Sequence, residues 1–215
     1  IGLIFSVAGL LCVPRTELPP AGGAVARWWE PDAWKPTAAM TGLALTYGTV
    51  MVFVPLAVAH AGLANGWTFF STYAAAIVLT RLATRRRLDR GERLAWAFGG
   101  CTLLLSSLML LAFASSWAVF LPAAVLYGVG VGIGHPSLMV YILESVPLER
   151  RSAAAAMGTS AFDAGGAGGG AIAGWLAGHF SYSVAFGASS VLLLALLSPL
   201  LAQTARRRRV ARASS

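Results

Sequence analysis

The sequence predicts an all-α protein that crosses a lipid bilayer several times, and three observations carry that expectation. Mean hydropathy is +0.72 and only 11% of residues are charged, where a soluble domain carries about a quarter. The charges gather in short clusters between long uncharged runs, as expected of a chain whose solvent is mostly lipid. Six of those runs approach the roughly 20 residues a membrane helix needs.

The elements follow in order. Ile1–Val13 is apolar but about half a span long, so it reads as the end of a preceding transmembrane helix. Residues 14–37 hold five prolines, a Gly-Gly pair and Trp28, Trp29 and Trp34. Pro and Gly discourage a continuous helix and tryptophan suits a membrane interface, which predicts a cytoplasmic central linker with a short surface-lying stretch. Residues 38–203 form the six-span domain, with runs at Ala38–His60, Trp67–Thr80, Leu94–Phe113, Trp117–Leu143, Ser152–Gly178 and Val184–Ala202. The second is short unless it borrows Arg81 and Leu82, the arginine snorkelling to the interface. Residues 204–215 form a basic tail.

The connections alternate in character. His60–Gly66, Ala114–Ser116 and His179–Ser183 contain no Lys, Arg, Asp or Glu, and all sixteen Lys and Arg fall on the other side of a six-span arrangement. The positive-inside rule then places the charged loops and the C-terminus in the cytoplasm, in an inner (plasma) membrane. A net charge of +8 raises nucleic acid as a partner. The clusters Arg85–Arg87 and Arg206–Arg209, however, each close an apolar run, where they anchor helices to anionic lipid. No nucleic-acid partner is expected. Cys12 and Cys101 lie in apolar runs and read as small hydrophobes.

Several segments resemble the second half of major facilitator transporters, in particular arabinose-efflux and drug-efflux permeases. Thr46–Leu56 with Gly62–Phe70 is similar to the first span, outer loop and second span of that half. Arg81-Leu82 followed by Leu88-Asp89-Arg90-Gly91-Glu92-Arg93 resembles the family's loop motif G-x-L-x-D-R-x-G-R-R, with Arg85 at its leading glycine and one residue missing. Gly128–Pro136 resembles the fourth span, and Arg150–Asp163 leads into a glycine-rich fifth. The resemblance implies a six-transmembrane-helix half of a major facilitator bundle. It also implies alternating-access transport of a small organic solute, as proton-coupled efflux. The implied partners are the bilayer, the missing N-terminal six-helix half, a small-molecule substrate and H+. A scaffold or sensor that kept the fold without transporting is the alternative.

Asp163 is the only acidic residue well inside a predicted span, and a charge there should face protein or water. It reads as a proton or cation site. Gly166, Gly170, Gly174 and Gly178 form one stripe with Asp163 on its edge, either a close-packing surface or a gate where helices slide. His135, between Gly134 and Pro136, either hydrogen-bonds a carbonyl freed by the proline or serves as substrate contact or proton relay. Tyr47 and Tyr141 are packing aromatics or ligands. In the loop motif, Arg81, Asp89, Arg90 and Arg93 are solvated charges or an inner latch in which Asp89 caps a helix and pairs with an arginine. There is no phosphate loop, no metal-ligand spacing and no nucleophile set, so no enzyme, cofactor or metal is expected.

Overall fold

The computed structural model of the chain describes residues 30–88 and 93–213, with side chains for 30–84 and 93–204. The expected preceding helix at 1–13, most of the linker, and Asp89 and Arg90 lie outside the described residues, as do the side chains of the basic tail.

Among the described residues there are six long helices: α1 (Trp34–His60), α2 (Trp67–Leu88), α3 (Arg93–Ala112), α4 (Trp117–Glu144), α5 (Arg151–His179) and α6 (Tyr182–Ala213). Short 3-10 turns precede α1 (Pro31–Ala33) and α5 (Leu148–Arg150). Four of the long helices, α1, α3, α4 and α6, are long and apolar enough to cross a membrane. Arg81 and five Ser and Thr residues dilute α2, and Asp163 with a run of glycines dilutes α5. Helix begins within the expected linker, because Pro36 sits in the first turn of α1, where no backbone N–H has an intrahelical acceptor. α2 and α6 run past their apolar stretches into Arg, Ala and Leu, good helix formers once beyond lipid.

The packing has an internal symmetry. α1 lies against α5 and α6, while α4 lies against α2 and α3. The first helix of each triplet therefore packs on the second and third helices of the other. Successive helices alternate in direction, so the triplets run oppositely, as in an inverted repeat. Contacts of α1 with α4, α3 with α6 and α4 with α5 join the two groups.

Glycine makes both central contacts possible. A Cβ on Gly169 would overlap the Leu45 carbonyl, and one on Gly48 would overlap that of Gly166. One on Gly165 would stand 2.8 Å from the Ala44 side chain. α1 and α5 thus touch backbone to backbone. The four glycines of α4 divide between two partners. Gly128 and Gly132 face α2 at Tyr73, Ala76 and Thr80, while Gly130 and Gly134 face α3 at Gly100 and Leu104. Lipid tails are as apolar as the side chains they would replace, so close packing and interhelical hydrogen bonds must hold such helices together. Thr49 of α1 supplies several bonds, lying 2.8 Å from Ser189 Oγ of α6 and donating toward the Gly169 carbonyl of α5 at 3.3 Å. Ser107 of α3 donates to the Ala123 carbonyl of α4 at 2.7 Å.

Ion pairs close the arginine-rich end. Arg93, the first residue of α3, pairs with Glu144, the last of α4. Arg150 reaches Glu30 at 2.9 Å and Asp32 at 3.9 Å. Glu30 is 1% exposed, so removing Arg150 would leave a buried carboxylate uncompensated, a far larger loss than that of an exposed pair.

Substituting Gly169→Ala should lower the thermal melting point in detergent, at a cost of about 1–3 kcal/mol from overpacking. Gly178→Ala, with open space around it, should leave the melting point unchanged or slightly higher.

Candidate functional site

The α1–α5 contact sets two aromatic residues opposite each other. Tyr47 precedes Gly48 on α1, and Phe162 lies one turn before Gly165 and Gly166 on α5. Their ring centroids are 5.5 Å apart. His135 approaches the same phenyl ring from α4, edge-on at 4.9 Å with the planes 83° apart. Three helices therefore meet at Phe162, and all three rings are half-buried. A half-buried ring in this position keeps part of its face or edge open beyond the bundle.

Beneath this cluster lies a buried polar layer. Thr46 Oγ1 donates to the Leu43 carbonyl at 2.7 Å. The Tyr127 hydroxyl, 2.9 Å from Thr46, must then be the donor of their shared bond. The Tyr127 ring packs on Tyr73 of α2 at 5.8 Å. Arg81 is exposed on α2.

Asp163 stands next to Phe162 in sequence but elsewhere around the helix. It precedes Gly165 by two residues, about 200° around α5, and is exposed where Gly165 is buried. It is the thirteenth of the 29 residues of α5, close to mid-helix. Unless its carboxylate meets water or protein it carries the full cost of a charge in hydrocarbon.

Two of the residues singled out by sequence, Tyr47 and His135, come together, with Phe162 between them. Among the described residues the His135 ring is held by that phenyl and makes no bond to a carbonyl freed by Pro136. Gly166, Gly170 and Gly174 lie along the flank of the α1–α5 seam. A Cβ on them would be 3.9 Å from the Ala44 carbonyl, 3.6 Å from Val52 and 3.5 Å from Phe53, respectively. A Cβ on Gly178 would meet nothing within 4 Å, and the tightest approach falls on Gly165 and Gly169 instead. Tyr141 lies apart from the ring cluster and lines a 320 Å³ pocket at the arginine-rich end, with Asp32 and Glu144. Of the loop motif, Arg93 is bound to Glu144 and Arg81 stays on the α2 surface. Phe162 was not singled out by sequence; its one signal was adjacency to Asp163.

These features are those of a polytopic helical membrane protein with an inverted repeat. Residues 37–214 match the family profile of the Major Facilitator Superfamily; the chain belongs to that family of membrane transporters. The fold is similar to that of peptide transporter POT. A mutant with sulfate aligns at TM-score 0.71 and 15% identity, over 79% of this chain and 37% of that one. The same mutant with alafosfalin gives 0.70 and 15%, over 79% and 37%. A further structure, with sulfate, gives 0.70 and 16%, over 80% and 37%. This chain thus spans little more than a third of the length of those transporters. Comparison with curated proteins finds no match.

Phe162→Leu keeps an apolar side chain but removes the aromatic geometry, worth about 0.5–1.5 kcal/mol beyond the area buried. Melting of Phe162→Leu, His135→Leu and the double variant should show coupling of that order, the double losing less than the sum of the singles.

Proposed function

We propose that this chain is a six-span half of an alternating-access transporter, and that the open faces of α2 and α5 look onto the other half across the transport path. The observation that carries the reading is Asp163, exposed near mid-helix beside a ring cluster built from α1, α4 and α5. α2 and α5, the second helices of the two triplets, carry Arg81 and Asp163, the charges within the helical stretches that face outward. Such faces are stable against water and a complementary protein surface, and costly against lipid.

In this reading the two six-helix units rock about a midplane site lined by Tyr47, His135 and Phe162. Tyr47 and His135 offer a hydroxyl and an imidazole to a small organic solute, and Phe162 offers a flat apolar surface. Asp163 takes up and releases the proton that drives the cycle, with the solute leaving the cell as the proton enters. The Gly166–Gly170–Gly174 flank lets α5 slide along α1 as the site changes access. Arg81, Asp89, Arg90 and Arg93 belong to the inner latch. The arginine-rich loops and the C-terminus face the cytoplasm of an inner (plasma) membrane, which accounts for the one-sided placement of Lys and Arg.

The test uses the full-length transporter in proteoliposomes with an imposed pH gradient. Asp163→Asn should abolish gradient-driven transport while substrate exchange without a gradient persists. Gradient-driven transport unchanged by the substitution sinks the role of Asp163. Loss of both activities in a well-folded variant would make Asp163 a substrate contact instead.

A further inference from the structure

The exposed faces of α2 and α5 carry opposite charges, Arg81 and Asp163, and among the described residues neither enters an ion pair. We propose that the two faces are complementary to each other and that a second copy of this chain covers them, α2 of each copy lying against α5 of the other. The proposal rests on the reading above that another six-helix unit meets these faces, and it names that unit.

Depth decides whether such pairing is possible. A two-fold axis along the membrane normal exchanges the helices of two copies without moving any residue up or down. It therefore joins only residues that already lie at one level. α4 touches both helices and serves as the ruler. A Cβ on Gly132 would lie 3.3 Å from the side chain of Thr80, one residue before Arg81. The His135 ring meets that of Phe162, one residue before Asp163. Gly132 and His135 are three residues apart, about 4.5 Å along the axis. α2 runs with α4 and α5 runs against it, so the steps to Arg81 and to Asp163 narrow that difference. The two charges lie within about one helical turn of the same level.

The pairing also suits the chemistry of both faces. In an isologous contact Arg81 of one copy meets Asp163 of the other, and the same pair forms again across the axis. Each charge is costly against lipid when unmatched, and a guanidinium presents its N–H donors in the geometry a carboxylate accepts. The exposed residues one turn to either side of Asp163 are Ser160 and Ala167, and Val78 and Ala74 precede Arg81 on α2. All four are short, so the helices can approach within reach of an arginine side chain. A lipid surface would leave both charges unmatched. A partner of one sign would satisfy one face and repel the other.

The test uses the 215-residue chain labelled with either of two fluorophores and reconstituted at low protein density in lipid vesicles. Energy transfer should report pairing of unaltered copies. Arg81→Asp alone sets acid against acid at both contacts, and Asp163→Arg alone sets base against base, so each should weaken association at least about tenfold. Mixing the two variants places opposite charges at both contacts and should restore transfer, which also shows that each variant is folded. No transfer between unaltered copies, transfer indifferent to both substitutions, or no recovery on mixing would each overturn the pairing. Such a failure leaves the transport reading standing, because that reading is judged by Asp163→Asn in the pH-gradient assay.

Discussion

The contact on which the rest of the structure depends is the backbone-to-backbone seam between α1 and α5. In water such a seam would be one packing solution among many, because burial alone would hold the helices together. In lipid that drive is absent, and helices stay associated only where their surfaces approach closely enough for dispersion and interhelical hydrogen bonds to act. Gly48, Gly165 and Gly169 remove the side chains that would hold the axes apart. Once the backbones touch, Thr49 comes within reach of both the Gly169 carbonyl and Ser189, tying α5 and α6 to α1. Tyr47 and Phe162, on the neighbouring rows of the two helices, are carried into contact by the same approach. The aromatic cluster is therefore a consequence of the seam, and a change that widened the seam would disperse it.

The inverted repeat extends this logic to the other triplet without copying its chemistry. α4 uses alternate glycines on two faces, one pair for α2 and one for α3. α1 meets α5 through glycine and α6 through the Gly42–Leu193 contact. With both first helices fastened on two sides, each second helix keeps a face with no partner inside the unit. Those faces belong to α2 and α5, the two least apolar helices. Arg81 and Asp163 both lie exposed on this pair.

Much of this architecture was legible from residue type alone. Runs of uncharged residues broken by Gly, Ser, Asn and His locate all six helices to within a few residues, apart from the extensions of α1, α2 and α6. Those extensions escaped because hydropathy reports where lipid ends, not where helix ends. The site was less legible. Asp163 stands out because a lone charge in an apolar run is conspicuous, whereas Phe162 is one of ten phenylalanines and acquires meaning only once α1 and α4 are known to reach it. The glycine stripe illustrates the same limit. The Gly166 row and the Gly165–Gly169 row differ by one residue, about 100° around the helix, and nothing in periodicity says which of them α1 will choose. Glu30 is hidden for another reason, since an acid in a Pro-rich segment looks solvated until Arg150, 120 residues later, is seen to cover it.

The one-sided charge that makes the topology readable has a structural consequence at the other end. Helix C-termini are ordinarily softened by Lys or Arg in the last turn. Here α1, α3 and α5 all end where the sequence places no Lys or Arg at all, and α3 has no basic residue in its last turn. His60 and His179 stand alone in the last turns of α1 and α5. The His179 imidazole nitrogen lies 2.8 Å from the Trp175 carbonyl; His60 is turned to Tyr182. With no basic side chain to cap them, the last-turn carbonyls accept from the backbone instead. The Ala61, Leu63 and Gly62 N–H groups donate to Ala57, Val58 and Ala59 of α1, those of Phe113 and Ala114 to Leu110 and Leu111 of α3, and that of Phe180 to Leu176 of α5. Three helices, α2, α4 and α6, begin on that side as three end there, so the helix dipoles themselves largely balance.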